Sequence, residues 1–367
     1  MRVAFFLTVT DSKGEDWWYD QIKVTPAMRK TVFKHVENIG SVKTLRIDYA
    51  VGYYLQHLVR GKNNVQVDLI EAKDVVLTKT FRPKEYDLII TQFLSPLAVF
   101  QVYKERKGTE YDRMLKRNES KVYPPPSYTA FIEDKCAYGD LLRKHDIPSP
   151  PQVCLTKTVY DNAKSKRKLI ESLQTKWEKL TDADEVFAKP ILGTGSWGVK
   201  VMKKSNTKQI ESYLKTIFED KKYPKVMFQP YYPDFGTTFK ELRYVFVGDK
   251  HVSTVTNSLK GEWSRPKQEV RTYGIDVPQY HMLKNVAKYI IDSILKPRFF
   301  KNGLPMLETR VDFGCCLNQV SGYYFVNEVE YAGGVLTFMD KRRQFDIHEH
   351  FATQLKKVVQ WYLEKKK

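Results

Sequence analysis

Near its C-terminal end the chain places charges inside strands, and this limits the fold more than any other feature of the sequence. "LPMLETRVDFGCCL" alternates apolar residues with Arg310 and Asp312, and "GYYFVNEVEY" does the same with Glu328 and Glu330. Residues two apart on a strand share one face. A charged side chain within an apolar alternation needs a partner, because an unpaired buried ion is very costly. If the two stretches pair, Asp312, Glu328 and Glu330 converge, and Arg310 lies on the face of Asp312. Convergent carboxylates suit Mg²⁺, a hard ion that completes its shell with water and phosphate oxygens. A guanidinium beside them is placed to stabilise negative charge that develops during reaction.

Upstream, "VFAKPILGTGSWGVKVM" (Val186 to Met202) points to an anion. Lys189 and Pro190 end an apolar strand. Gly193, Gly195 and Gly198 follow, interleaved with Thr194, Ser196 and Trp197, and then a second strand begins. A plain hairpin needs only one or two turn glycines. Three glycines beside a lysine leave backbone N–H groups open to an anion, with little side chain in the way. A Walker loop would read G-x-x-x-x-G-K-[ST] and feed a helix. This segment does neither, so it is expected to be a hairpin lid.

Composition sets the frame. A chain of 367 residues with 42% hydrophobic content has room for two or three domains with real cores. No apolar run is long enough to span a membrane, and the N-terminal run reads as a first strand rather than a signal peptide. Cys136, Cys154, Cys315 and Cys316 show no paired C-x-x-C spacing, so neither zinc nor a disulfide framework is expected, and a reducing cytoplasm is the expected setting. The net charge of +18 attracts nucleic acid, nucleotides, acidic peptides and anionic membranes alike.

Strand signals at "RVAFFLTV", "VQVDLIEA" and "YDLIITQFL" alternate with helical spacing at Ala50, Tyr54, Leu55 and Leu58, which predicts a small α/β domain. The prolines of "YPPPS" mark its boundary. A helix is expected over Glu133–Lys144, others at Ile210–Phe218 and Leu283–Ile294, and a last one around Leu355–Tyr362. Strands are expected at "KVMFQPYY" and at "LRYVFVGDKHVSTVT", the latter turning at Gly248–Asp249. His348 and His350 are expected to lie at a solvated helix start, Cys315 and Cys316 in core packing, and Asp182-Ala-Asp184 in a charged turn.

The order "DK" (Asp134–Lys135), "AKPILGTGSWGV", "MFQPYY", "KELRYVFVG", "ETRVDF" and "YYFVNEVE" resembles the ATP-grasp superfamily over about Phe131 to Gly334. The resemblance implies an α/β (α+β) ATP-grasp fold preceded by a Rossmann-like domain. The expected units are residues 1–125, a lid subdomain over 126–228, and a C-terminal subdomain with the metal site over 229–367. It implies an ATP-dependent, ADP-forming carboxylate–amine ligase that works through an acylphosphate. Lys135 and Lys189 match the phosphate lysines, and Gly193, Thr194, Gly195, Ser196 and Gly198 match the mobile loop. Gln229 and Tyr231 match the adenine hinge, and Glu241 the ribose position. Arg243 and Arg310 match residues at the reacting centre. Asp312, Glu328 and Glu330 match the ligands of Mg²⁺ or Mn²⁺.

Two positions depart from the pattern: Pro230 replaces a hinge glutamate, and Glu330 replaces an asparagine. The loop Ser258–Gly274, with Lys260, Arg265, Lys267 and Arg271, implies an acidic small-molecule or peptide acceptor. A kinase acting on a hydroxyl is the nearest alternative. A non-catalytic basic protein that binds nucleic acid is the alternative from another class, and nucleic acid is not the expected partner.

Overall fold

The structure is a computed structural model that describes residues 1–8, 21–34, 36, 42–61, 64–191, 198–220, 223–233, 235, 241–258, 267–269, 278–316, 323–331 and 344–366. In chain order, the first layer holds β1 (Arg2–Phe6), β2 (Gln21–Lys23), α1 (Pro26–Lys30), β3 (Thr44–Arg46), α2 (Ile47–Val59), β4 (Gln66–Ile70), α3 (Ala72–Val76), β5 (Leu88–Ile90), α4 (Pro96–Arg117) and β6 (Val122–Tyr123). Its main sheet is parallel, in the order β4-β1-β5-β6. In β1, Val3 and Phe5 face one core while Ala4 and Phe6 face another, against α3 and α4. Burial on both faces is why this strand reads as an unbroken apolar run. Strand order changes side at β1, with β4 on one flank and β5 on the other, and in such sheets the crevice for ligands opens beyond the C-terminal strand ends.

Two helices then connect to the second layer: α5 (Pro126–Glu133) and α6 (Lys135–Lys144). The expected single helix from Glu133 is therefore broken. Asp134 leaves helical geometry and caps α6, its Oδ1 accepting from Cys136 N at 3.1 Å. The last proline of the boundary run, Pro126, opens α5, where a missing N–H costs nothing.

The second layer comprises β7 (Val153–Thr156), α7 (Lys157–Asn162), α8 (Lys166–Leu180), β8 (Glu185–Pro190), β9 (Lys200–Lys203), α9 (Thr207–Lys215) and β10 (Lys225–Pro230). Its sheet is antiparallel, in the order β7-β10-β8-β9. Leu173 and Trp177 of α8 and Ile210 and Leu214 of α9 cover one face and form a core of their own with Val186, Ala188 and Phe228.

The third layer comprises β11 (Glu241–Val247), β12 (Lys250–Ser258), β13 (Lys267–Glu269), α10 (Pro278–Tyr289), α11 (Lys296–Phe299), β14 (Glu308–Cys316), β15 (Tyr323–Glu330) and α12 (Gln344–Glu364). The strands run antiparallel in the order β13-β12-β11-β14-β15. This sheet shares its core with the first layer. Phe5, Ile90 and Phe93 pack in one cluster with Val247, Phe351 and Leu355, and the Phe93 and Phe351 rings lie 5.7 Å apart.

Cys136 and Cys154 are joined in a disulfide, which corrects the expectation that the cysteines do not pair. Their separation of 18 residues carries no motif, and helix and strand come together only in the fold. Cys315 is buried, as its apolar surroundings predicted. The acceptor loop Ser258–Gly274 lies almost wholly outside the described residues, as do Gly193, Thr194, Gly195, Ser196 and Trp197.

At the C-terminal end of β1, Asp48 is fully buried; it accepts from Thr8 N at 2.8 Å and Tyr49 N at 2.9 Å and pairs with Arg46. Asp48→Ala leaves the Thr8 N–H and the Arg46 guanidinium without this partner. A loss of about 3 kcal/mol in urea-unfolding free energy is expected. An unchanged midpoint would contradict the assignment.

Candidate active site

One wall of the site is the uncovered face of the β7–β10 sheet. Val186 and Ala188 turn into the helix-covered core, so Phe187 and Lys189 project to the other side. Lys189 pairs in register with Met227, and Met227 with Cys154, which puts these side chains in one row across three strands. Gln229, opposite Phe187, belongs to the same face. Lys189 and Gln229 are both buried. Past β8, Gly198 has φ +72, and a Cβ there would lie 2.9 Å from Pro190 Cγ, so glycine is required. Tyr213 OH donates to the Gly198 carbonyl at 2.9 Å, which fixes the return of the loop. Tyr231 continues from β10 and donates its N–H to Glu185 O at 3.0 Å.

The other wall is the charged face of β11, β14 and β15. Arg243 stands opposite Asp312, Asp312 opposite Glu328, and Arg310 opposite Glu330. Arg310 Nε and Nη2 each donate to the Asp312 carboxylate at 2.7 Å, and Nη1 reaches Glu330 Oε2 at 2.9 Å. Arg243 Nη2 contacts Glu241 Oε2 at 2.7 Å, and its Nε lies 3.6 Å from Asp312 Oδ2. Register slips by one residue between Asp312 and Phe313, and Asn327 is the extra residue on β15. Its Nδ2 donates to Glu241 Oε1 at 2.9 Å. Sequence reasoning missed Asn327, because a bulge is set by the pairing of two strands and leaves no mark in one of them.

The start of α6 ties the walls together. Lys135 forms an ion pair with Glu328 of the charged sheet. Its neighbours reach the other way: Asp134 pairs with Lys225 of β10, and Cys136 bonds to Cys154 of β7.

The electrostatics follow from burial. Burial first, then the charge of Lys135, brings the Lys189 amine down to about 7, against the pull of Glu241, Asp312 and Glu330. Burial lowers Lys135 as well. It raises Asp312, against the attraction of Arg310 and Arg243. Arg310 is held above its ordinary value because Asp312 and Glu330 outweigh its own burial. Lys135, paired with Glu328, and the Cys136–Cys154 bond, in the same cross-strand row as Lys189, bring the two walls together at the start of α6.

At the start of β14, two residues before Arg310 and on its face, Glu308 joins a polar network that the sequence did not disclose. Gln92, just beyond β5, donates to Glu308 Oε2 at 3.0 Å and also to the Tyr331 carbonyl. Tyr331 OH donates to Glu133 Oε1 at 3.0 Å. Burial lifts Glu308 to about 8 and Glu133 to about 7, so both carry protons well above the usual carboxylate range.

The structure brings Lys135, Lys189, Gln229, Glu241, Arg243, Arg310, Asp312, Glu328 and Glu330 to these two walls. No group of three or more His, Cys, Asp or Glu side chains among the described residues is arranged to hold a metal ion. Arg310 holds Asp312 and Glu330, and Lys135 holds Glu328. The donors are all anionic oxygens, the chemistry a hard divalent ion takes, and in this structure each is held by a cationic side chain. His350 is half-buried with Nε2 3.3 Å from Val247 O, and His348 has no described side chain. No helix among the described residues is long and apolar enough to cross a membrane.

Neither a protein-family model nor a curated protein matches the sequence. Solved structures do match the fold. D-cycloserine synthetase DcsG aligns over 97% of this chain and 99% of its own, with a TM-score of 0.63 and 15% identity. D-alanine–D-alanine ligase from Bacillus anthracis, solved with ATP, aligns over 99% and 98% with a TM-score of 0.51 and 15% identity. D-alanyl-alanine synthetase A from Vibrio cholerae aligns over 99% and 98% with a TM-score of 0.55 and 12% identity. The chain therefore shares the mixed α/β fold of these solved structures along nearly its whole length.

A lysine depressed to about 7 destabilises the folded chain below that pH and ceases to do so as pH rises toward the unfolded value of 10.5. Lys189→Met is expected to be more stable than wild type at pH 6, on the order of 2–4 kcal/mol. The gap should close toward pH 10. A pH-independent difference in urea unfolding would contradict the buried-amine assignment.

Proposed function

We propose that the protein is an ATP-dependent ligase that joins a carboxylate to an amine and forms ADP. The single observation that carries this reading is the opposition of Lys189 and Lys135 to the charged face of β11, β14 and β15, in a fold whose solved counterparts include ligases and one structure with ATP. The first layer then plays the part of the Rossmann-like domain that precedes an ATP-grasp unit. The units divide at about residues 125 and 228, and the setting is cytoplasmic.

Nucleotide enters between the walls. Lys135 leaves Glu328 for a phosphate oxygen, and Lys189 takes up a proton as it meets the phosphates. The loop Gly193, Thr194, Gly195, Ser196 and Gly198 covers them and keeps water from the intermediate. Gln229 and Tyr231 border the base through their backbone, since Pro230 has no N–H to offer. Glu241, held by Asn327 and Arg243, accepts from the ribose hydroxyls. Asp312, Glu328 and Glu330 are the oxygen donors for Mg²⁺ or Mn²⁺, and a bound ion neutralises phosphate charge during transfer.

A carboxylate oxygen of the acceptor attacks the γ-phosphorus and the bond to the β-phosphate oxygen breaks, giving an acylphosphate and ADP. Arg310 and Arg243 lie where they hold the transferring phosphoryl group. An amine nitrogen then attacks the acyl carbon. Phosphate leaves with the electrons of the C–O bond, and the nitrogen loses a proton. The basic residues of Ser258–Gly274 favour an acidic acceptor, a small molecule or a peptide.

The test is a screen of carboxylic acids and amines with ATP, read by mass spectrometry and by ADP release. ADP should appear only when both an acid and an amine are present, together with the amide product. Asp312→Asn with Glu328→Gln should lower that rate at least about a hundredfold. A phosphorylated hydroxyl product, or full activity in the double variant, would overturn the reading.

A further inference from the structure

We infer that Cys136 and Cys154 form a reversible thiol–disulfide site, set at the junction of the two walls, that controls how far the β7–β10 sheet opens from the charged sheet. The consequence for nucleotide exchange rests on the function proposed above; the tie itself does not.

The position of the bond carries the inference. Tyr138 and Leu142 anchor α6 in the core shared by the first and third layers, while the far side of the β7–β10 sheet belongs to its own core. Cys136, Cys154, Ile191 and Met227 make a small apolar cluster between them. The disulfide therefore links two bodies with cores of their own, which also meet where Phe100 of α4 packs on Tyr223, across the segment that joins them, His145–Gln152. Its Cα–Cα distance of 6.4 Å is within ordinary reach for a disulfide. Lys135 precedes Cys136 in the chain, and Met227 stands between Cys154 and Lys189 in the cross-strand row. Any rotation of the sheet about this edge moves Lys189 relative to Lys135 and Glu328.

Without the bond, the junction keeps weaker ties. Asp134 pairs with Lys225, Gln152 Nε2 donates to Cys136 O at 2.9 Å, and Arg143 Nη1 donates to Pro150 O at 3.1 Å. Each can break and re-form in water, whereas a covalent bridge removes open conformations from the ensemble. Reduced, the two thiols still pack as small apolar side chains with Ile191 and Met227, so the closed arrangement survives as one state among several.

The redox step balances through thiol–disulfide exchange with a low-molecular-weight disulfide. The Cys154 thiolate attacks that disulfide and expels one thiolate. The Cys136 thiolate then attacks Cys154 Sγ in the mixed disulfide and expels the second. The protein loses two electrons and two protons, and the external disulfide becomes two thiols. Cys154 takes the first step because it is only partly buried, whereas Cys136 is 6% exposed. A dithiol reverses the sequence.

The experiment uses the full chain equilibrated in oxidised glutathione or in dithiothreitol. Alkylation with iodoacetamide under denaturing conditions, followed by mass spectrometry, reads the bond. Deuterium uptake reads the junction, and stopped-flow dissociation of a fluorescent ADP reads the cleft. Cys136 and Cys154 should be protected from alkylation in oxidised glutathione and modified after dithiothreitol. Reduction should raise deuterium uptake in residues 145–156 and 225–230 and speed ADP dissociation about threefold or more. Cys154→Ser should match the reduced protein in either buffer.

Free Cys136 and Cys154 in oxidised glutathione would overturn the inference. So would a bond that forms without changing deuterium uptake. Absence of ADP binding in both buffers refutes the nucleotide site instead, and the deuterium measurement then decides the tie alone.

Discussion

Asp312 of β14 is fully buried with the Arg310 guanidinium beside it, and the half-buried Glu328 and Glu330 of β15 are held by cations as well. Arg310 grips Asp312 with both arms of its guanidinium and reaches Glu330, Arg243 links Glu241 to Asp312, and Lys135 crosses from α6 to Glu328. A buried ion pair gains little over an apolar pair of equal volume, but removing one partner strands the other. Such a face is a poor way to stabilise a sheet and a good way to hold charge ready. Lys189 completes it from the opposite wall, with an amine that burial and Lys135 keep near neutrality. A polyphosphate is a partner whose charge both lysines can share.

The rest of the fold supports this opposition. The charged sheet is fixed by the large core it shares with the parallel sheet and α12, and by the network of Glu308 and Glu133, whose carboxyl pKa values burial raises, with Gln92 and Tyr331. The β7–β10 sheet has its own core and meets the rest at the start of α6 and where Phe100 of α4 packs on Tyr223, their rings 5.5 Å apart. Bodies with separate cores can shift against one another, and Asp134, Lys135 and Cys136 form one of the places where they are tied. Consecutive residues there reach alternate walls, so one helix turn senses both.

Much of this was legible in the sequence, for physical reasons. Arg310, Asp312, Glu328 and Glu330 interrupt an apolar alternation, which fixed their shared face before any strand was seen. Lys189 ends an apolar strand beside a glycine loop, which marked it for an anion, while the face it takes is seen only from the packing of Val186 and Ala188. What stayed hidden depends on contacts between distant segments. Asn327 joins the charged face only because β15 slips one residue against β14. Glu308 was one glutamate among many until Gln92, more than two hundred positions away, met it. Asp134 looked like the interior of a helix and is a cap, since a cap depends on the turn before it. The pairing of Cys136 with Cys154 contradicted the cysteine reading, because spacing reports motifs and not proximity.

The measurement closest to the centre of this account is proton-linked nucleotide binding. Calorimetric titration of the protein with MgADP, in buffers of different ionisation enthalpy, gives the protons taken up on binding. With Lys189 largely neutral in the empty cleft and charged beside phosphate, uptake should approach about one proton per nucleotide at pH 8 and vanish near pH 6. In Lys189→Met it should be absent at both pH values. Tight binding at pH 8 with no proton uptake would mean that Lys189 does not meet the phosphates, and the two-walled site described here would be wrong.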